Sequence, residues 1–294
     1  MGGVRGGGHQ RQQELDAVLT QMGSVLVAFS GGVDSSYLAA RAHQVLGERA
    51  LAVTADSESL AASQRLRALE LARDVGLRHR LVRTSELDSP LYAQNAADRC
   101  YHCKSELFSR LLPMAAAEGL TWVAYGLLTD DLADFRPGHR AAAEAGVRSP
   151  LAEAGMSKPD VRSLSREMGL PTWDLPASPC LASRVAYGVR VTPEVLRQVD
   201  TAEESLKALG FREFRVRHLG SAARVEIAPE ELGRLAEAGL RQRIERAVVA
   251  AGYETVSVDP EGYRRGRLNE ALGVGTAPGE GAGVSSTHEV DSGV

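Results

Sequence analysis

The stretch Val25-Leu26-Val27-Ala28-Phe29-Ser30-Gly31-Gly32-Val33-Asp34-Ser35-Ser36 joins two kinds of pattern. Val25 to Phe29 is a short apolar run, the mark of a strand covered on both faces. From Ser35 to Leu46, apolar Tyr37, Leu38, Val45 and Leu46 recur at helical spacing. Between them, glycines allow a tight turn and a close backbone approach to an anion. The free amides at a helix start, aided by the helix dipole, form an anion cradle. Ser30, Ser35 and Ser36 add hydroxyls around Gly31 and Gly32. Asp34 either caps the helix or holds Mg²⁺ on bound phosphates. No lysine follows the glycines, and the spacing is not that of a dinucleotide loop.

Working outward, the same alternation continues. A helix is predicted over 12–22, strands over 50–54, 80–82 and 122–125, and helices over 60–75 and 104–118. This order predicts an α/β domain with a doubly wound parallel sheet. Ligands of such sheets bind at the carboxyl ends of the strands, where Ser30, Asp56 with Ser57, and Gly126 all fall. After about Gly188 the pattern changes. A helix over 193–209, strands over 211–218 and 224–228, a helix over 230–251 broken near Gly239, and a strand over 254–258 predict a smaller α+β domain. The expected organisation is residues 1–10 disordered, 11–188 a nucleotide domain, 189–273 a second domain and 274–294 a disordered tail, the last two-ended expectation resting on Gly-rich termini without apolar period.

Composition narrows the class. The chain has 294 residues, a net charge of −4, 44% hydrophobic and 24% charged residues. Those values exclude a collagen, a coiled coil or wholesale disorder. No apolar run reaches the length of a membrane span, and the first ten residues lack the apolar core of a secretory signal. A cytoplasmic protein is expected. The mild acidity argues against non-specific nucleic-acid binding. Cys100, Cys103 and Cys180 are the whole cysteine set, and an odd number argues against a disulfide framework. Three thiolates suit zinc with His102 or water as fourth ligand. They equally suit three irons of a 4Fe–4S cluster, or a redox pair with a separate nucleophile. The residues alone leave these open.

The loop Ser30 to Ser36 resembles the pyrophosphate loop (PP-loop) of the ATP pyrophosphatase superfamily. Over the whole chain apart from the tails, the sequence resembles the LarE family of ATP-dependent sulfur transferases. The matching stretches are AFSGGVDSS, RCYHCK, YGLLTDDLADFRPGHRAAAEAGVRSPL, ASPCLASRVAYG and GFREFRVRH. The resemblance implies ATP cleaved between its α and β phosphates, and adenylation of a carboxylate of pyridinium-3,5-biscarboxylic acid mononucleotide. Conversion to a thiocarboxylate would follow, in making the nickel-pincer nucleotide cofactor. It implies the three-cysteine style of the family, with Cys100, Cys103 and Cys180 on a 4Fe–4S cluster that binds the transferable sulfide, in place of a single sacrificed cysteine.

The implied substrate carries one phosphate and two carboxylates, for which arginine is the suited partner. In the strand around Phe214, Arg215 and Arg217 share one face and Phe214, Val216 and His218 the other. That face is either a solvated one or, as the resemblance implies, a phosphate contact. Ser183 and Arg184 would lie beside the sulfur donor, and Glu203 matches a family glutamate near the active centre. A further family acid is expected where this chain has Arg234. Asp130, Asp131 and Asp134 are candidates for Mg²⁺, and Arg136 for a phosphate contact. His43 and His79 read as ordinary surface residues, and the run Tyr263 to Arg267 as a solvated basic segment. Expected partners are the pyridinium mononucleotide, a sulfide or cysteine-desulfurase source and further copies of the chain. The rival readings are a tRNA thiolation enzyme, an amidotransferase and a non-enzymatic ATP-binding iron–sulfur protein.

Overall fold

The computed structural model describes residues 3–132, 137–264 and 266–270. Its first unit is built on a parallel sheet. Strands β1 (Val25–Ala28), β2 (Ala50–Asp56), β3 (His79–Arg83) and β4 (Trp122–Tyr125) lie in the order β3-β2-β1-β4. Val25 pairs with Ala50 on one side and Trp122 on the other, so β1 is central. Helices α1 (Gly3–Met22), α2 (Val33–Leu46), α3 (Ala62–Val75), α4 (Pro90–Ala93), α5 (Arg99–Ala117), α6 (Pro137–Glu144), α7 (Pro150–Glu153) and α8 (Lys158–Glu167) surround it. The period-two rule places Val25 and Val27 in one apolar cluster with α1, α2 and α8. Leu26 points into the other, with Leu51, Val53 and Phe108 of α5. A strand whose two faces both meet cores must read as a continuous apolar run.

Two expectations change here. Residues 3–10 are helical, not disordered: α1 runs from Gly3, eight residues after which Arg11 pairs with Asp160 at 2.8 Å while His9 meets Glu167 at 3.3 Å. Glycine is a poor helix former, so tertiary contacts to α8 carry this end. Helix α5 begins at Arg99, so Cys100 and Cys103 sit inside its first turns and do not precede it.

The second unit has a three-stranded sheet, β5 (Phe214–Leu219), β6 (Ala222–Ile227) and β7 (Thr255–Val258), in that order. Strands β5 and β6 form an antiparallel hairpin, and β6 and β7 are parallel. Helices α9 (Pro193–Ala208) and α10 (Leu240–Ala250) cover one face, burying Leu206, Phe214, Val216, Val225, Ile227, Ile244 and Val248 together. The helix expected from residue 230 divides: Pro229–Ala236 is a 3₁₀ helix, and α10 starts only after Gly239 at φ 74°. A last short helix, α11, spans Arg267–Glu270. Among the described residues no helix is long and apolar enough to cross a membrane.

Candidate active site

The loop after β1 is shaped by close approaches. Gly31 has φ +70°, and a Cβ there would stand 3.0 Å from Ala68 Cβ. A Cβ on Gly126, just beyond β4, would stand 3.0 Å from the Ser35 backbone nitrogen. Both positions therefore favour glycine, Gly31 by its left-handed backbone as well as by space. Gly32 caps α2 without any side-chain hydrogen bond to its first amides. Gln64 Nε2 donates to Ser30 O at 3.1 Å, and the Ser30 and Ser35 hydroxyls lie 3.0 Å apart. Ser36 Oγ is fully buried and, among the described residues, has no hydrogen-bond partner. Uncapped amides, an orphaned hydroxyl and two close approaches at glycines fit a bound polyphosphate.

Asp34 is engaged. Lys158 Nζ donates to both its oxygens, at 2.7 and 2.8 Å. Lys158 was not among the expected site residues. It lies far away in sequence, and its only sequence signal is its rarity among arginines, at the start of a capped helix: Ser157 accepts the Asp160 N–H and Asp160 the Ser157 N–H. An ion on Asp34 would have to displace that ammonium. Asp130 accepts the Lys158 backbone N–H at 2.7 Å, and Asp131 the Leu128 N–H at 3.3 Å, so both carboxylates serve the backbone at this edge. Asp134 and Arg136 lie outside the described residues. At the end of β2, Asp56 pairs with Arg65 at 2.9 Å and Ser57 Oγ donates to the buried Glu86 at 2.8 Å.

The cysteines stand on two elements. Cys100 is exposed in the first turn of α5, and Cys103 follows one turn later. Cys180 precedes the 3₁₀ segment Leu181–Arg184, and both it and Cys103 pack against Tyr92, Leu181, Ala182 and Val185. Burial pushes the Cys103 thiol up, desolvation by the surrounding protein does the same at Cys100 although that residue keeps an exposed side, and a charge on Cys180 would push both further; Lys104 acts in the opposite direction on each. Lys104 Nζ also lies 5.7 and 5.6 Å from the Phe108 and Tyr125 ring centroids, next to Gly126. The Leu181 N–H donates to Ser59 O at 2.9 Å, tying the cysteine loop to the end of β2. Nucleotide loop and thiols thus occupy one end of the sheet. Among the described residues no three His, Cys, Asp or Glu side chains are arranged to hold a metal ion. The donor set itself, three sulfurs with cations beside them, is of the kind that binds zinc or an iron–sulfur group.

The arginines are where the structure departs furthest from a solvated face. Arg215 and Arg217 are 5% and 6% exposed. They point away from the apolar core, as the period-two rule requires, but into the cysteine loop. Arg184 forms a forked pair with Glu203 at 2.9 Å on each side, and its Nη1 donates to Pro179 O at 2.6 Å and Cys180 O at 3.2 Å. Arg217 Nε donates to the buried Glu226 at 2.8 Å and Nη1 to Ser183 O at 3.0 Å. Arg215 donates to Phe214 O and Ala177 O, and faces no carboxylate in ion-pair reach among the described residues. Burial and the neighbouring Arg184 charge hold its basicity below the usual value. Three guanidiniums share two carboxylates, so this corner carries net positive charge, and Arg215 keeps most of its five donors for an incoming anion.

Glu203 also accepts the Val216 N–H at 3.1 Å, which makes it a keystone between α9, β5 and Arg184. Arg234 donates to Gly210 O at 2.9 Å and Leu209 O at 3.0 Å, so it closes a turn instead of supplying an acid. Tyr263 and Arg267 are engaged where a solvated segment was expected: the Tyr263 ring centroid lies 4.6 Å from the Arg215 guanidinium carbon, and Arg267 pairs with Asp259 at 2.7 Å. His79 is not an ordinary surface residue either, since its Nε2 lies 2.9 Å from Thr54 Oγ1 and burial lowers its basicity.

Residues 12–105 match the family model described as asparagine synthase. An uncharacterised protein of Synechocystis is 43% identical over 88% of this chain and 97% of its own length. The pyridinium-3,5-bisthiocarboxylic acid mononucleotide synthase of Lactiplantibacillus plantarum is 36% identical over 89% of this chain and 95% of its own. An uncharacterised protein of Methanocaldococcus jannaschii is 24% identical over 82% and 90%. With the glycine loop on a parallel sheet and identity at that level across nearly the whole chain, this protein belongs to the LarE family, that of the pyridinium-3,5-bisthiocarboxylic acid mononucleotide synthase.

Proposed function

We propose that this protein is an ATP-dependent sulfur transferase of cofactor biosynthesis, which adenylates a carboxylate of pyridinium-3,5-biscarboxylic acid mononucleotide and converts it to a thiocarboxylate. The observation that carries this reading is the shared end of the sheet: a phosphate-type loop follows β1, and a cysteine loop gripped by three buried arginines is hydrogen-bonded to the segment after β2, in a chain 36% identical to a synthase of that name. Residues 11–188 handle ATP and residues 189–273 the substrate.

The free amides after Gly32 and the Ser36 hydroxyl hold the β and γ phosphates, and Lys158 turns from Asp34 toward them. Mg²⁺ enters with the nucleotide. Arg215, assisted by Arg217, takes the substrate phosphate, which directs a ring carboxylate at the α phosphorus. The carboxylate oxygen attacks, the bond to the bridging oxygen breaks, and pyrophosphate stays where the loop amides stabilise its charge. Sulfur then attacks the acyl carbon of the adenylate and AMP leaves with the electron pair. Cys100, Cys103 and Cys180 would hold a 4Fe–4S cluster, which when bound supplies sulfide at the iron that lacks a protein ligand. Arg184, with Ser183, holds the backbone at Cys180 still beside that carbon, and Glu203 keeps Arg184 in place.

The test is incubation with ATP and the substrate under anaerobic conditions. AMP, pyrophosphate and a product heavier by the exchange of oxygen for sulfur are expected, with pyrophosphate dependent on substrate. Iron and acid-labile sulfide should appear in reconstituted wild type and fall in Cys180→Ala. Pyrophosphate formed only with tRNA would overturn the substrate. A reconstituted wild type without iron would overturn the cluster.

A further inference from the structure

Arg99 is a buried cation without an acid. It opens α5 one residue before Cys100 and is 4% exposed. Taking a guanidinium out of water is costly unless an anion accompanies it. Arg184 and Arg217 have Glu203 and Glu226 for this purpose. Among the described residues, no carboxylate lies in ion-pair reach of Arg99. Its electrostatic neighbours are Cys180, Cys100, Tyr92 and Tyr187, none of them a carboxylate. Arg99 is therefore a buried guanidinium with thiols and phenols beside it in place of a carboxylate.

The guanidinium is also fixed with unusual care. Its Nη1 donates to Asn95 Oδ1, and its carbon lies 5.8 Å from the Tyr187 ring centroid. Asn95 is fully buried and, at φ 59°, is the one non-glycine residue with positive φ among the described residues. Asparagine tolerates that backbone better than most residues. Its Nδ2 donates to the carbonyls of Val185 at 3.3 Å, Ala186 at 2.8 Å and Val189 at 3.0 Å. One side chain thus joins the segment following Cys180 to the helix bearing Cys100, with Arg99 between.

We propose that Arg99 is an anion-binding residue of the thiol site, receiving a small anionic sulfur species of the hydrosulfide class beside Cys100 and Cys180, with Asn95 as its positioning residue. The inference rests on the reading of these thiols as the place of sulfur delivery. It adds the charge that draws the sulfur in and keeps it there before it meets the acyl adenylate.

The test uses the reduced, metal-free, full-length chain and two alkylating probes, anionic iodoacetate and neutral iodoacetamide. The ratio of their rates at Cys100, read by peptide mass spectrometry at one pH, cancels the thiolate fraction and reports the local field. A fixed charge within a few ångströms changes that ratio by about tenfold or more. Wild type and Arg99→Lys should share a high ratio, Arg99→Gln should fall about tenfold, and Asn95→Gly, which keeps the backbone and drops the amide, should fall between. Equal ratios in wild type and Arg99→Gln would overturn the proposal. If the glutamine variant does not fold, wild type alone decides: thiocyanate should slow iodoacetate more than fluoride does at equal ionic strength, and equal slowing overturns the proposal. The assay contains neither ATP, pyridinium nucleotide nor iron, so loss of the function proposed above leaves its outcome independently readable.

Discussion

The loop after β1 and the cysteine loop both hold irregular backbone still, and they do it by opposite means. The first is local: Ser30 to Ser36 are consecutive, held by the strand before them, the helix after them and two close approaches at glycines. The second is distributed: Ala177, Pro179, Cys180 and Ser183 offer carbonyls to Arg184, Arg215 and Arg217, whose own anchors are Glu203 on α9 and Glu226 on β6. Backbone amides bind an anion without a net charge being buried. Guanidiniums bind one only because carboxylates were buried with them. A local loop should therefore fail in function first, and a distributed one in stability first.

The largest break expected is Glu203→Ala. It strands the Arg184 guanidinium and the Val216 N–H in a buried corner, a loss of about 3–5 kcal/mol for one half of a buried pair. The urea midpoint should fall accordingly, with Glu203→Gln retaining part of the loss through its remaining acceptor. A change below about 1 kcal/mol in the alanine variant would mean that the cysteine loop is not anchored through α9.

On the other side of the comparison, Gly126→Ala pushes a methyl group to within 3.0 Å of the Ser35 nitrogen. Overpacking against backbone costs about 1–3 kcal/mol, but ATP affinity, measured by calorimetry, should drop by more than that, because the intruded N–H is one we propose to donate to a phosphate. Lys158→Met separates function from stability more cleanly. The Asp34–Lys158 pair is partly exposed, 24% and 36% at the two side chains, so its loss should cost under about 1 kcal/mol. The stabilisation that ATP confers on the melting temperature should nevertheless shrink. Unchanged ATP stabilisation would leave Lys158 a surface cation and nothing more.

The same contrast decides what could be read from the chain alone. The alternation of apolar runs and helical periods announced the parallel sheet, and Ser30 to Ser36 announced their own geometry, because every residue needed is a sequence neighbour. The burial of Arg215 and Arg217 was not legible. Strand period fixes which face they take, but only the fold shows that residues 177–183 cover that face. Lys158 and Tyr263 were hidden for the same reason, since each meets its partner across more than forty residues of chain. Asn95 carried a weak signal, as asparagine next to an expected cysteine site, without any hint of its left-handed backbone. At the amino terminus, glycine content argued for disorder and the contacts of Arg11 and His9 with α8 overrode it.

His79, half-buried in the first unit, and His218, buried in the second, give the smallest and most symmetrical test. His79 meets Thr54 Oγ1 at 2.9 Å beneath the nucleotide loop, and His218 Nδ1 lies 3.2 Å from Tyr253 Oη in the second sheet. Burial lowers the basicity of both below the ordinary histidine value. The folded chain therefore binds fewer protons than the unfolded chain as pH falls through about 6.5, so stability is full above that pH and declines below it. With screening by solvent the loss should stay under about 1 kcal/mol for each residue. Trp122 and Trp173 both belong to the first unit, so tryptophan fluorescence follows that unit while circular dichroism follows the whole chain. Replacing His79 with Gln should flatten the acid dependence of the fluorescence transition, and replacing His218 with Gln should flatten only that of the circular dichroism. If both variants moved both signals together, the two units would unfold as one. The distributed network around Glu203 would then be what couples the cysteine loop to the loop we propose to hold ATP.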